Sequence, residues 1–115
     1  MRETKFRAWN KNLNRSGGMI WNVAVLNGKY FDPYEMETQE YPIMQYTGLK
    51  DKDCVEIYEG DIYKNPSGVV NKVKYSLEDA GWTCDGNSML SLSGTMKGEV
   101  IGNVFDNPEL LESEE

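Results

Sequence analysis

Asn27 and Gly28 stand between two runs of β-forming residues, Met19 to Leu26 and Lys29 to Phe31. No other local feature limits the fold as strongly. Asn-Gly in this setting is the preferred type I′ hairpin turn, because both central positions need positive φ. The pattern predicts a strand over Met19 to Leu26, with Met19, Trp21, Val23 and Val25 on one face and Ile20, Asn22, Ala24 and Leu26 on the other. Lys29-Tyr30-Phe31 folds back on its end, and Asp32-Pro33 closes the arm. A second turn signal lies at Asn65-Pro66-Ser67-Gly68, where proline and glycine occupy type I turn positions between Ile57 to Tyr63 and the alternating run Val69 to Tyr75.

The remaining segments read the same way. Phe6 and Ala8 alternate with Lys5, Arg7 and Trp9 in the manner of an edge strand, ending in a polar loop closed by Gly18. Tyr34 to Tyr41 has an irregular apolar pattern and reads as a loop or a single helical turn. Ile43 to Thr47 is strand-like and is closed by Gly48, ahead of a charged, solvated turn at Lys50-Asp51-Lys52-Asp53. Trp82 to Cys84, Met89 to Leu92 and Glu99 to Phe105 are further short strands. Helix is expected only at the end, where Asn107 can cap, Pro108 suits the first helical position and Glu109 to Glu112 complete about one turn. Eleven glycines and turn signals every ~8–12 residues predict a mainly β fold: a small barrel or roll of short antiparallel strands with hairpins and a short C-terminal helical turn. The 115 residues suffice for a single domain, residues 1–115, with sub-parts 1–48 and 49–115.

Composition narrows the chemistry. The chain has no histidine, so Ser-His-Asp and Cys-His machinery and histidine metal ligands are excluded. Cys54 and Cys84 form neither a CxxC motif nor a zinc knuckle and read as reduced thiols, packed or half-exposed. No apolar run approaches the roughly 20 residues needed to cross a bilayer, and the first residues are too polar for a signal peptide, so a cytoplasmic location is expected.

The net charge is −7 and is unevenly placed. Residues 1–18 carry a net +4, while residues 99–115 carry six acids and no base. Opposite-sign ends point to an attraction within one subunit or between two. An acidic chain is a poor non-specific nucleic-acid binder, although Lys5-Phe6-Arg7-Ala8-Trp9 has the basic and aromatic interleaving of a short nucleic-acid arm as well as the alternation of a strand.

The strongest candidate for chemistry is Glu59-Gly60-Asp61. Two carboxylates two residues apart on a strand share a face, where repulsion raises one pKa and favours acid/base work or a divalent cation. The alternative, which we favour, is a bent, glycine-containing entrance to the strand Ile62-Tyr63 with Asp61 bonding backbone amides. Trp9, Glu59 and Asp61 are therefore retained only as candidate binding residues. No catalytic residue, cofactor site or metal site is assigned.

Three blocks carry a family resemblance. They are Lys5-Phe6-Arg7-Ala8-Trp9, then Met44 to Lys52 followed by Glu56 to Ile62, and finally Val100-Ile101-Gly102-Asn103-Val104 running into Asn107-Pro108-Glu109-Leu110-Leu111. In this order, spanning the chain, they resemble the YopX family of bacteriophage and prophage proteins. Two positions depart from the family pattern: Asn10 stands where an acid is common and Cys54 where a glycine is common. The resemblance implies a phage-borne, cytoplasmic, mainly β protein that self-associates, and it carries over no catalytic residues. The expected function is a non-enzymatic binding or assembly module, a homo-oligomer engaging a host or phage protein. The alternative is a nucleic-acid-associated protein, or an acidic DNA mimic acting on a host DNA-binding protein. A metal-dependent enzyme built on the carboxylates ranks last, and no membrane association is expected.

Overall fold

The Asn27-Gly28 turn forms as its chemistry requires. Asn27 has φ 54° and Gly28 φ 79°, and the strands it joins, β3 (Ala24–Leu26) and β4 (Lys29–Asp32), pair antiparallel with Leu26 opposite Lys29. A computed structural model describes residues 5–13, 17–76, 81–84, 87–88 and 94–112. Among them are twelve strands and one four-residue helix, and the strands pair predominantly antiparallel, with one isolated parallel bridge between Lys50 and Thr95. The chain is mainly β. It divides into two compact units, Met1–Tyr46 and Thr47–Glu115. The boundary falls inside a strand, two residues before the expected one.

In the first unit β1 (Phe6–Asn10) lies between β2 (Gly18–Trp21) and β6 (Ile43–Lys50). The edge strand expected at Phe6 is therefore a central one. Arg7 is opposite Trp21 on one side and Met44 on the other, and Arg7, Ala8 and Trp9 are all buried. Burial of consecutive residues means that both faces of the strand are covered, which simple alternation does not signal. The single strand expected over Met19 to Leu26 is broken. Asn22 takes a left-handed φ of 55°, which asparagine tolerates better than most residues. The Val23 amide still donates to the Phe6 carbonyl of β1 at 3.0 Å, after which β3 pairs with β4 instead.

Tyr34 to Tyr41 holds a strand as well as a turn. Asp32 Oδ1 accepts from the Tyr34 and Glu35 amides at 2.8 and 3.2 Å, and Met36 has φ 58°. This Asx-type turn reverses the chain into β5 (Glu37–Gln39), which pairs with β4. Packing against β4, not the irregular apolar pattern, decides the conformation here. A valine at position 28 would force a β-branched side chain into positive φ with no contact in return, since no atom lies within 4 Å of a Cβ there. Gly28→Val is expected to destabilise by about 1–2 kcal/mol. An unchanged thermal midpoint would contradict the hairpin.

The second unit begins within β6. Gly48 does not close this strand, which passes through it at φ 86° and continues to Lys50. Here β6 pairs with β7 (Glu56–Tyr58), and the Thr47 hydroxyl donates to the Ile57 carbonyl at 2.7 Å. β8 (Asp61–Lys64), β9 (Val70–Ser76), β10 (Gly81–Cys84), β11 (Asn87–Ser88) and β12 (Glu99–Asn103) form one sheet in the order β11-β10-β9-β8-β12. The expected strand at Met89 to Leu92 lies outside the described residues.

The β8–β9 hairpin is closed by the predicted turn. Asn65 Oδ1 accepts from the Ser67 and Val69 amides at 2.9 and 3.0 Å, and Gly68 has φ 91°. Backbone bonds from Lys50 to Gly94 and Met96, and from Lys52 to Gly98, attach the end of β6 and its following loop to the segment before β12. They roll the unit around a core of Leu49, Ile57, Tyr63 and Val73, against which Trp82, Cys84, Met96 and Val100 pack.

The C-terminal helix α1 (Glu109–Glu112) starts as expected after Pro108, with the Leu110 amide donating to the Asn107 carbonyl at 3.0 Å. The Asn107 side chain reaches back and accepts from the Asn103 amide at 3.3 Å.

Candidate functional site

The sequence candidates fall in different units and do different work. Trp9 lies in the first unit, buried in β1 beside Met19, and its amide donates to the Pro42 carbonyl at 3.0 Å. A Cβ at Gly17 would lie 2.5 Å from the indole. The ring is a core element, not an exposed binding aromatic. Its basic neighbours are also engaged: Lys5 Nζ sits 4.9 Å from the centre of the Tyr46 ring, and the Arg7 guanidinium 5.3 Å from that of Trp21. These are cation–π distances. The segment that resembled a basic arm is thus held in the sheet.

Glu59 and Asp61 lie in the second unit but not on one strand. A turn at Glu59-Gly60, with Gly60 at φ 87°, separates β7 from β8. Asp61 is 3% exposed, and its Oδ2 accepts from the Tyr58 amide at 2.7 Å. The backbone of Gly60 donates to Val73 and accepts from Val104. The premise of two carboxylates on one strand thus does not apply, and the Asp61 carboxylate bonds the backbone of the turn. Among the described residues no group of three or more Cys, Asp or Glu could hold a metal ion.

One carboxylate was overlooked. Asp51, read as part of a solvated charged turn, is 1% exposed. Its Oδ1 accepts from the Asp53 and Val55 amides at 2.8 and 3.0 Å, and its Oδ2 accepts from the Val100 amide at 2.9 Å. Alternation of charge at positions 50–53 gives no hint of this, because the third donor lies 49 residues away. Cys54 in the same turn has φ 68°. That is the left-handed region glycine prefers. Burial pushes the Tyr63 hydroxyl above its ordinary pKa, opposed by the Gly98 amide that donates to it at 2.9 Å.

The β3–β4–β5 meander carries exposed apolar side chains at both of its ends. Leu26 is 51% exposed, Tyr34 94% and Met36 72%. Leu26 lies opposite Lys29 at the hairpin end, and Tyr34 and Met36 lie in the β4–β5 turn. Large apolar side chains at turn positions were the available signal, since burial by a core is unusual there.

As a class, this is a small antiparallel β protein whose buried carboxylates hold backbone and whose first unit presents apolar side chains to solvent. The chain belongs to the YopX family: the family model described as YopX protein matches residues 5–112. A search of curated proteins gives no match. Among solved structures the chain is similar to protein EF1440 from Enterococcus faecalis, with a TM-score of 0.65 and 28% identity over 96% of this chain and 99% of that one. No helix among the described residues is long and apolar enough to cross a membrane.

Proposed function

We propose that the chain is a phage-encoded, non-enzymatic binding and assembly module that self-associates and engages a host or phage protein in the bacterial cytoplasm. The observation that carries this reading is the exposure of Leu26, Tyr34 and Met36 on one small meander. Its outer strands β3 and β5 each pair on one side only in the described chain. An open strand edge beside apolar side chains favours covering by another chain, and homo-oligomers are the commonest way of providing one.

Light scattering over the micromolar range is expected to show a species larger than the 13.1 kDa chain, and Leu26→Glu combined with Tyr34→Ser is expected to return it to the monomer mass. A monomer across the whole range would sink the proposal. A second reading, an acidic mimic of DNA, is favoured by one observation: residues 47–115 hold fourteen acids against six lysines, a net charge of −8. Capture of a host DNA-binding protein that added DNA displaces would select it.

A further inference from the structure

We infer that the groove between the β6–β7 loop, the β8–β9 turn and the segment entering β12 binds a phosphate group. It is a cavity of about 160 Å³ lined by Lys52, Lys64, Asn65, Lys97 and Glu99, with Gly98 among its walls. Three of the six lysines of residues 47–115 meet here, in a stretch whose net charge is −8. Convergence of positive charge against that background is what a phosphate site requires, and lysine serves phosphate as a point charge.

Three details shape the site. Gly98 presses on β8 so closely that a Cβ would collide with the Lys64 carbonyl oxygen and lie 2.5 Å from the Tyr63 hydroxyl, so the wall is fixed backbone. Asn65 commits its Oδ1 to the turn, which leaves its Nδ2 as the donor end. Lys64 and Lys97 are exposed and have no carboxylate partner among the described residues.

Glu99 shows which chemistry the lysines accept. Its carboxylate stands 3.9 Å from Lys52 Nζ, and the β8–β12 register places Glu99 opposite Lys64. At that distance, half exposed, the pair is a loose one. The groove thus holds an anion of the protein's own that an incoming phosphate would displace from Lys52. Phosphate carries more charge than the carboxylate and offers oxygens to several ammonium groups at once.

The test uses the full chain with two probes. Pyrophosphate is followed by titration calorimetry, and a fluorescein-labelled single-stranded oligonucleotide by anisotropy. Wild type is compared with Lys64→Gln/Lys97→Gln and with Glu99→Gln, each checked for an unchanged melting midpoint. The double lysine variant is expected to bind about tenfold more weakly, Glu99→Gln several-fold more tightly, and added salt to weaken binding. This pattern with pyrophosphate assigns the site to small free phosphates. The same pattern with the oligonucleotide alone assigns it to nucleic-acid backbone. Absence of binding to both probes, or binding that the three substitutions leave unchanged, overturns the inference. The outcome is independent of whether the chain self-associates.

Discussion

Replacing Asp51 with alanine is expected to remove about 3–5 kcal/mol of stability, the largest loss from any single side chain described above. The side chain accepts from three backbone amides, those of Asp53, Val55 and Val100, at 2.8 to 3.0 Å. Alanine leaves all three donors without their acceptor and opens a void at a site that is 1% exposed. Against a total stability of roughly 5–15 kcal/mol for a domain, the variant would stand near the unfolding threshold. Asp51→Asn should lose less, about 2 kcal/mol, because one oxygen remains to serve part of the turn while the amide nitrogen meets a donor. The exposed neighbour Asp53, changed to asparagine, provides the control. Chemical denaturation decides the matter: if Asp51→Ala and the control lose the same stability, the role assigned to Asp51 is wrong.

Gly98→Ala is expected to destabilise by about 2–3 kcal/mol, a fall in melting midpoint on the order of 10 °C. The sign is the informative part. Where the backbone permits it, glycine to alanine generally stabilises by reducing the freedom of the unfolded chain. Here the added methyl has to displace the Lys64 carbonyl or the Tyr63 ring. The carbonyl belongs to a strand paired on both sides, to β9 and β12, and Tyr63 is part of the core. Neither can yield without disturbing its partners. Moving Tyr63 would also break its bond from the Gly98 amide. A melting midpoint equal to or above wild type would show that this approach is looser than described.

The parts of the fold that were legible in the sequence are those decided within a few residues. Asn27-Gly28 and Asn65 to Gly68 carry their turn chemistry locally, through backbone conformations that few residues accept and side chains that bond amides two to four positions on. The errors occur where a distant strand decides. Nothing near Phe6 shows that β6 arrives on its second side. Glu37 to Gln39 become a strand because β4 is there to pair with them, and Met19 to Leu26 are divided between two partners at Asn22.

The candidate site follows the same rule. Asp61 was readable because its bond to Tyr58 spans three residues. Asp51 was not, because charge alternation describes a solvated turn until Val100 is brought to it. Trp9 was ambiguous for a related reason: an aromatic beside lysine and arginine reads alike in an arm and in a covered strand. The groove lysines come from three separate segments, so no local motif could assemble them.

The bond between Asp51 and the Val100 amide also has a consequence for the order of events in folding. Closing a loop of 49 residues costs roughly 3 kcal/mol in chain entropy before a constant term, whereas the bonds to Asp53 and Val55 close within the turn itself. Synthesis also delivers Asp51 long before Val100. The carboxylate is therefore expected to organise its own loop first and to meet the C-terminal strand later, so that this strand seals rather than nucleates the second unit. Contacts completed after the rate-limiting step slow unfolding without speeding folding. The Val100 share of Asp51's contribution accordingly belongs to the lifetime of the folded chain, and the unfolding limb of a chevron plot is where its loss would be read.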